Sequence, residues 1–269
     1  QVSEVLIVGG GLLGLETARA LLAPNRRVTV LEIVPHLLPR QLDTPGATVL
    51  ERLLKDMGMH IRIGAQTQTV LGNGRVSGIR FADGSEISGE LAIMSTGIRS
   101  KVDLARSAGL SVNRGILVDE HMRTSASDVY AAGDAAEFHD RVYGIIPAAI
   151  EQARAAAANM VNEKEMLYAG TVPSTTLKIV GIDLTCLGDS MVEGDEYTIY
   201  RHVNQQTGVY KRVALRDGKL VGAILLGDTQ DARPLQQLIV GGIDVSAYGK
   251  RLVNGNLDLR ALARGKDSA

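Results

Sequence analysis

Cysteine is nearly absent from this sequence, with Cys186 the one example. A disulfide framework, a Cys-x-x-Cys redox pair and a cysteine-built zinc site are therefore excluded within one chain. Cys186 reads as a small, buried apolar residue in a strand, and the compartment expected is the reducing cytoplasm. An excess of either charge is lacking too. Lys and Arg total 29 against 30 Asp and Glu, a net charge of −1. No polybasic stretch stands out, so neither nucleic acid nor a membrane is an expected partner. No apolar run reaches the roughly 18–20 residues needed to span a bilayer. No charged n-region and apolar h-region open the chain, so no signal peptide is read. The histidines, His36, His60, His121, His139 and His202, are scattered, and none pairs with another at metal-ligand spacing. No metal site is expected. No Ser/His/Asp set suggests a nucleophile, and no catalytic residue is assigned.

What is present fits a globular protein. The 269 residues are 45% apolar, enough for two or three domains with real cores. Residues 1–97 alternate strand and helix patterns: EVLIVGG, GLLGLETARALLA, RRVTVLE, and a helix over Val49–Met57. Three β-rich stretches follow, IRIGAQTQTVLG, RVSGIRFA and EISGELAIMSTG, with hairpin signals at Gly72-Asn73-Gly74 and Asp83-Gly84. Residues 98–165 hold a strand GILVDE and an Ala-rich helix over Ala148–Val161, with Pro147 at its start. Residues 166–260 are β-rich, with LKIVGIDLTCLG, EYTIYRHV, a hairpin turning at Asp217-Gly218, and a helix near Pro234–Val240. Residues 261–269 read as a polar tail. The first residue is Gln1 and the first strand begins at Val5, as in a piece of a longer protein; processing or tag removal would look the same.

The strongest chemical signal is Gly9-Gly10-Gly11-Leu12-Leu13-Gly14. Such a triplet is weak evidence alone. Here it follows an expected strand and opens an expected helix, and a second strand ends in Glu32, as a Rossmann dinucleotide site requires. Gly9 permits the tight turn, Gly11 lets the backbone approach a pyrophosphate, and Gly14 lets helix and strand pack closely. Unpaired amides at the helix start favour an anion. Glu32 suits the ribose hydroxyls and would repel a 2′-phosphate, which favours NAD over NADP, although Arg26, Arg27 and Arg40 lie near in sequence. FAD uses the same fingerprint, so the motif alone does not separate the two dinucleotides.

GGGLLGLE, the STGI around Gly97, and TSASDVYAAGDAAEF together resemble the flavoproteins of the two-dinucleotide, disulfide-reductase-like superfamily. VTVLE, LLPRQLD, IPAAIEQARAAAANM and LKIVGIDLTCLGD resemble more narrowly the NADH-dependent rubredoxin reductases and the flavoprotein part of NADH-dependent nitrite reductase large subunits. The resemblance runs from Val5 to about Leu257. It implies an α/β fold with three parts. These are a Rossmann-like NAD-binding domain with a β-meander (1–97), the C-terminal part of an FAD-binding domain (98–165), and a C-terminal α+β domain of the reductase dimerisation type (166–260). It implies that Glu16 lies near the nicotinamide and that Gly97 lines the nicotinamide end. It implies that Gly133 and Asp134 belong to the second FAD signature, with Ile146–Gln152 beside the flavin ring. The first FAD-binding half, with its own glycine motif, is not in this sequence. Arg99 is followed by Ser100 and Lys101 where the family often has Pro-Asn.

The resulting expectation is the NADH-binding part of a flavoprotein oxidoreductase, with NAD(H) as its cofactor and FAD in the complete protein. Its electrons would pass to an acceptor such as rubredoxin or to a downstream redox domain that reduces nitrite. The resemblance alone suggests a homodimer. The alternative is a stand-alone NAD-binding module without catalysis; an NAD-dependent dehydrogenase without flavin is weaker, because no substrate acid or base can be named. Lys178, Arg201, Lys211, Arg212 and Arg216 are read as a solvated strand face, with a face for an acidic electron-transfer partner as the other reading.

Overall fold

A computed structural model describes residues 2–162, 166–172, 174–255 and 257–264. The expected boundary at 165 and the last five residues of the expected tail lie outside them. The chain divides into two compact units, Gln1–Gly97 with Ser174–Ala269, and Ile98–Pro173.

The first unit begins with β1 (Glu4–Val8), α1 (Leu12–Leu21), β2 (Arg27–Glu32), α2 (Thr44–Asp56) and β3 (His60–Ile63). A meander of β4 (Thr67–Gly72), β5 (Val76–Phe81) and β6 (Glu86–Ser88) follows, and β7 (Leu91–Met94) returns to pair with β1. The parallel sheet has the order β3-β2-β1-β7. Its central strands β1 and β2 read as near-continuous apolar runs because both faces are covered. Val5, Ile7, Val28 and Val30 face α1 and α2, while Leu6, Val8 and Leu31 face Ile79 and Phe81 of the meander. Val8 pairs with Leu31 on one side and Met94 on the other, so three strands end together. Gly9, Glu32 and Ser95 come next, at the carboxyl edge where open α/β sheets bind ligands.

The second unit holds α3 (Asp103–Ser107), the parallel pair β8 (Ile116–Val118) and β9 (Ala136–Phe138), and α4 (Ile146–Val161). Met122, Ala136, Phe138, Ala155, Ala156 and Tyr168 form its core.

The rest of the first unit is an antiparallel sheet in the order β10-β11-β14-β13-β12. It comprises β10 (Ser174–Ile179), β11 (Ile182–Gly188), β12 (Thr198–Asn204), β13 (Val209–Arg216) and β14 (Lys219–Leu226), followed by α5 (Ala232–Gly241) and α6 (Leu259–Ala263). LKIVGIDLTCLG, expected as one strand, is a hairpin bent at Val180-Gly181, with φ values of 58° and 87°. The Asp217-Gly218 turn has φ of 51° and 75°, as a two-residue hairpin of the primed type requires. Strand alternation splits the apolar residues between two faces. Leu184, Cys186, Ile224 and Leu226 join the core of the nucleotide-fold segment; Leu187, Ala223 and Leu225 join Leu235 and Leu238 of α5. The expected class, an α/β nucleotide fold with a C-terminal α+β part, is the class observed.

Candidate functional site

The turn between β1 and α1 is built from four glycines with different demands. Gly9 has φ of 116°, and a Cβ there would collide with the Ser95 carbonyl on β7. A Cβ on Gly14 would collide with the Gly9 carbonyl, so helix and strand touch backbone to backbone. A Cβ on Gly10 would lie 2.6 Å from Leu37 Cδ2, a demand the sequence reading did not assign. Gly11 differs: nothing lies within 4 Å of a Cβ added there. Gly11 is also the N-cap of α1, and no side chain caps the helix. The first-turn amides thus lack a side-chain acceptor beside open space, which is the arrangement that receives an anion.

Glu32 is buried at the end of β2. Its Oε2 accepts from the Gly10 amide at 2.7 Å, and its Oε1 accepts from the Val34 amide at 3.1 Å. The carboxylate therefore shapes the glycine turn, and each oxygen keeps a further lone pair. Leu12 is half-buried against the core and Leu13 is 72% exposed. Glu16, one turn further along α1, points to the antiparallel sheet, where its Oε1 accepts from the Val180 amide at 2.9 Å. Gly97 is exposed, with φ of 86°. Arg26 is tied by its guanidinium to the Val2 and Leu21 carbonyls, each at 3.1 Å. Arg27 starts β2, about 17 Å of strand from Glu32. Arg40 is exposed after β2.

In the second unit Gly133 adopts φ of 75° and donates its amide to buried Gln152 Oε1 at 2.8 Å. Asp134 is exposed. Ser100, one of the departures from the family pattern, donates its hydroxyl to the Asp134 carbonyl at 2.5 Å. Asp134 does not cap α4, which starts twelve residues later with Ile145 as its N-cap.

The sequence reading missed a buried polar network. Asp43 accepts from Tyr210 Oη at 2.6 and 2.7 Å and from Arg201 Nε at 2.9 Å, with Arg212 Nε at 3.3 Å. Burial, then the Asp43 hydrogen bond, pushes the Tyr210 hydroxyl above its usual range. Lys211, on the opposite face of β13, pairs with Asp228 and Asp231, both at 2.8 Å. Neither Lys211 nor Arg212 lies on a solvated face or offers a face to an acidic partner, as expected earlier, because strand alternation turns one to each core. The side chain of Lys178 lies outside the described residues. Cys186 is buried as expected; burial pushes its thiol up to about 12, and it donates to the Gln41 carbonyl at 3.3 Å. Among the described residues, no three His, Cys, Asp or Glu side chains gather to hold a metal. No helix among them is long and apolar enough to cross a membrane.

Residues 1–159 match the pyridine nucleotide-disulphide oxidoreductase family. The chain belongs to this family. This oxidoreductase family uses NAD(H) and FAD. Residues 173–243 match the C-terminal domain of rubredoxin NAD+ reductase. The chain is similar to a nitrite reductase [NAD(P)H] of Bacillus subtilis, 37% identical over 250 residues, covering 93% of this chain and 31% of that protein. It is 29% identical to an NADH-rubredoxin oxidoreductase of Clostridium acetobutylicum, over 88% of this chain and 58% of that protein. Among solved structures, the putidaredoxin reductase in a covalent complex with putidaredoxin aligns with a TM-score of 0.83 and 25% identity, over 99% of this chain and 64% of that one. The chain spans between 24% and 31% of the length of the nitrite reductases it matches.

Proposed function

We propose that this chain is the NADH-binding part of a flavoprotein that passes electrons from NADH through FAD to an acceptor. That acceptor is an electron-transfer protein such as rubredoxin, or a nitrite-reducing centre. The observation that carries the reading is the open space at Gly11, at the uncapped start of α1 and the carboxyl edge of the parallel sheet. Amides of the first turn hold the pyrophosphate, and the free lone pairs of Glu32 take the adenosine ribose hydroxyls. NADH is favoured over NADPH, because Glu32 opposes a 2′-phosphate and Arg26 is tied at the far end of β2.

Leu12 and Leu13 line the same turn, and Gly97 opens the nicotinamide end, where its missing side chain leaves room. Glu16 keeps one oxygen for the nicotinamide side while the other holds Val180. FAD, when bound in the complete protein, supplies the step from hydride to single electrons. In residues 98–165 the Gly133 turn presents the exposed Asp134 carboxylate to the flavin's ribityl chain. Ile146, Ile150, Ala153, Ala157 and Met160 follow at helical spacing and are exposed along α4, the kind of face that the rest of an FAD domain covers.

Titration of NADH and NADPH into the chain, followed by nicotinamide fluorescence, tests this reading. Saturable binding of one NADH per chain, with NADPH weaker, is expected. No saturable binding of either would contradict it.

A further inference from the structure

The helices beyond the antiparallel sheet form an open cleft of about 320 Å³ lined by Gln230, Arg233, Pro234, Gln237, Arg260 and Arg264. Gln230 just before α5, and Arg233 and Gln237 on it, follow at helical spacing. Arg260 and Arg264 stand four residues apart on and just after α6, so two helix faces bring three guanidinium groups to one cleft. No carboxylate lines it. Among the described residues, the acids nearest in sequence have other partners: Asp228 and Asp231 hold Lys211, and Asp258 accepts from the Arg260 and Ala261 amides at 3.0 Å. Among the described residues, none of the three arginines has an ion pair.

We infer that this α5–α6 cleft is a binding site for a small polyanion, a phosphorylated or polycarboxylate molecule. Guanidinium groups take phosphate or carboxylate oxygens in pairs, and the two glutamines add neutral donors and acceptors. The lining holds no aromatic ring, and Pro234 is its one apolar side chain, so it has nothing to stack a base or cover an acyl chain. The volume lies at the small end of ligand cavities. The site is separate from the glycine turn in the sequence and does not depend on the NADH reading.

Calorimetric titration of inorganic tripolyphosphate and of citrate into the full chain, at fixed ionic strength, tests it. The Arg233→Gln/Arg260→Gln double variant is run beside Gly11→Val, because the glycine turn also attracts anions. A saturable site is expected in wild type and is retained in Gly11→Val, and it weakens by about tenfold or more in the double variant. Arg233→Lys, which keeps the charge and loses the fork, should fall between. The tighter probe identifies the source as phosphorylated or polycarboxylate. All three arginines are exposed, so the variants should melt as wild type does without probe; Arg264→Gln gives a second reading of the same site. No saturable binding of either probe, equal affinity in the double variant, or a loss confined to Gly11→Val would overturn the inference.

Discussion

The Tyr210 hydroxyl lies 2.6 and 2.7 Å from the two carboxylate oxygens of Asp43, joining β13 to the N-cap of α2. Asp43 also accepts from the Gly46 amide at 3.3 Å and faces Arg201 and the buried Arg212. One carboxylate thus caps a helix of the nucleotide fold and neutralises charge in the antiparallel sheet. Asp43→Asn keeps the shape and removes the charge, leaving Arg212 buried without its counter-ion. The expected loss is about 3 kcal/mol, and Tyr210→Phe should cost about 1–2 kcal/mol. Urea unfolding checks both. Equal stability of Asp43→Asn and wild type would mean that the network is not structural.

The same region should make stability depend on pH on the alkaline side. Both the Cys186 thiol, raised to about 12, and the Tyr210 hydroxyl, raised above its usual range, stay protonated in the folded chain. In the unfolded chain they ionise near about 8.5 and 10. The unfolded state therefore releases protons first, and stability falls as pH rises above about 8.5, by at most about 1.4 kcal/mol per pH unit for each group. Unfolding curves at pH 7, 9 and 10 measure this, and Cys186→Ser should flatten the first part of the fall. Alkylation by iodoacetamide at pH 8 should be at least about a hundredfold slower in the folded chain than in urea.

Glu16 offers a test of position against chemistry. Val180 is a β-branched residue at φ of 58°, an unfavourable conformation, and the Glu16 carboxylate takes its amide. Glu16→Ala should lower stability by about 1–2 kcal/mol. Glu16→Gln keeps an acceptor oxygen and should restore most of it. A fully stable Glu16→Ala variant would show that the contact does not hold the hairpin.

Glu32→Gln separates turn shaping from ribose recognition. The amide oxygen of Gln can still accept from one backbone amide, so the fold should survive with a small change in melting temperature. NADH affinity should fall by about tenfold and the preference over NADPH should shrink, because the carboxylate that opposes a 2′-phosphate is gone. Parallel titrations with both nucleotides measure this. An unchanged NADH-to-NADPH ratio would remove Glu32 from the specificity argument.

Much of the fold was legible in the sequence. EVLIV and RVTVLE stand out because sheets covered on both faces need unbroken apolar strands. Asp217-Gly218 marks its turn because few residue pairs accept positive φ at both positions, and Gly84 supplies the positive φ of the β5–β6 turn. Val180-Gly181 hid inside an apolar run, since valine rarely occupies such a turn. The start of α2 was missed although Asp43-Thr44-Pro45 carried a cap followed by an early proline. In the glycine turn, Gly9 and Gly14 make close backbone contacts, as their spacing implied, and open space lies at Gly11. The inward direction of Lys211 and Arg212 was not readable, because their partners, Asp228, Asp231 and Asp43, are distant in sequence and only the folded sheet brings them near.

The proposed NADH site rests on the backbone at Gly11 receiving a pyrophosphate. The most direct measurement is calorimetric titration of NADH into wild type and Gly11→Val. Nothing in the protein crowds a side chain at this position, so the variant should fold and melt as wild type does. Valine would fill the space a pyrophosphate needs, and NADH binding should fall below detection. Equal affinity in the two proteins would contradict the account.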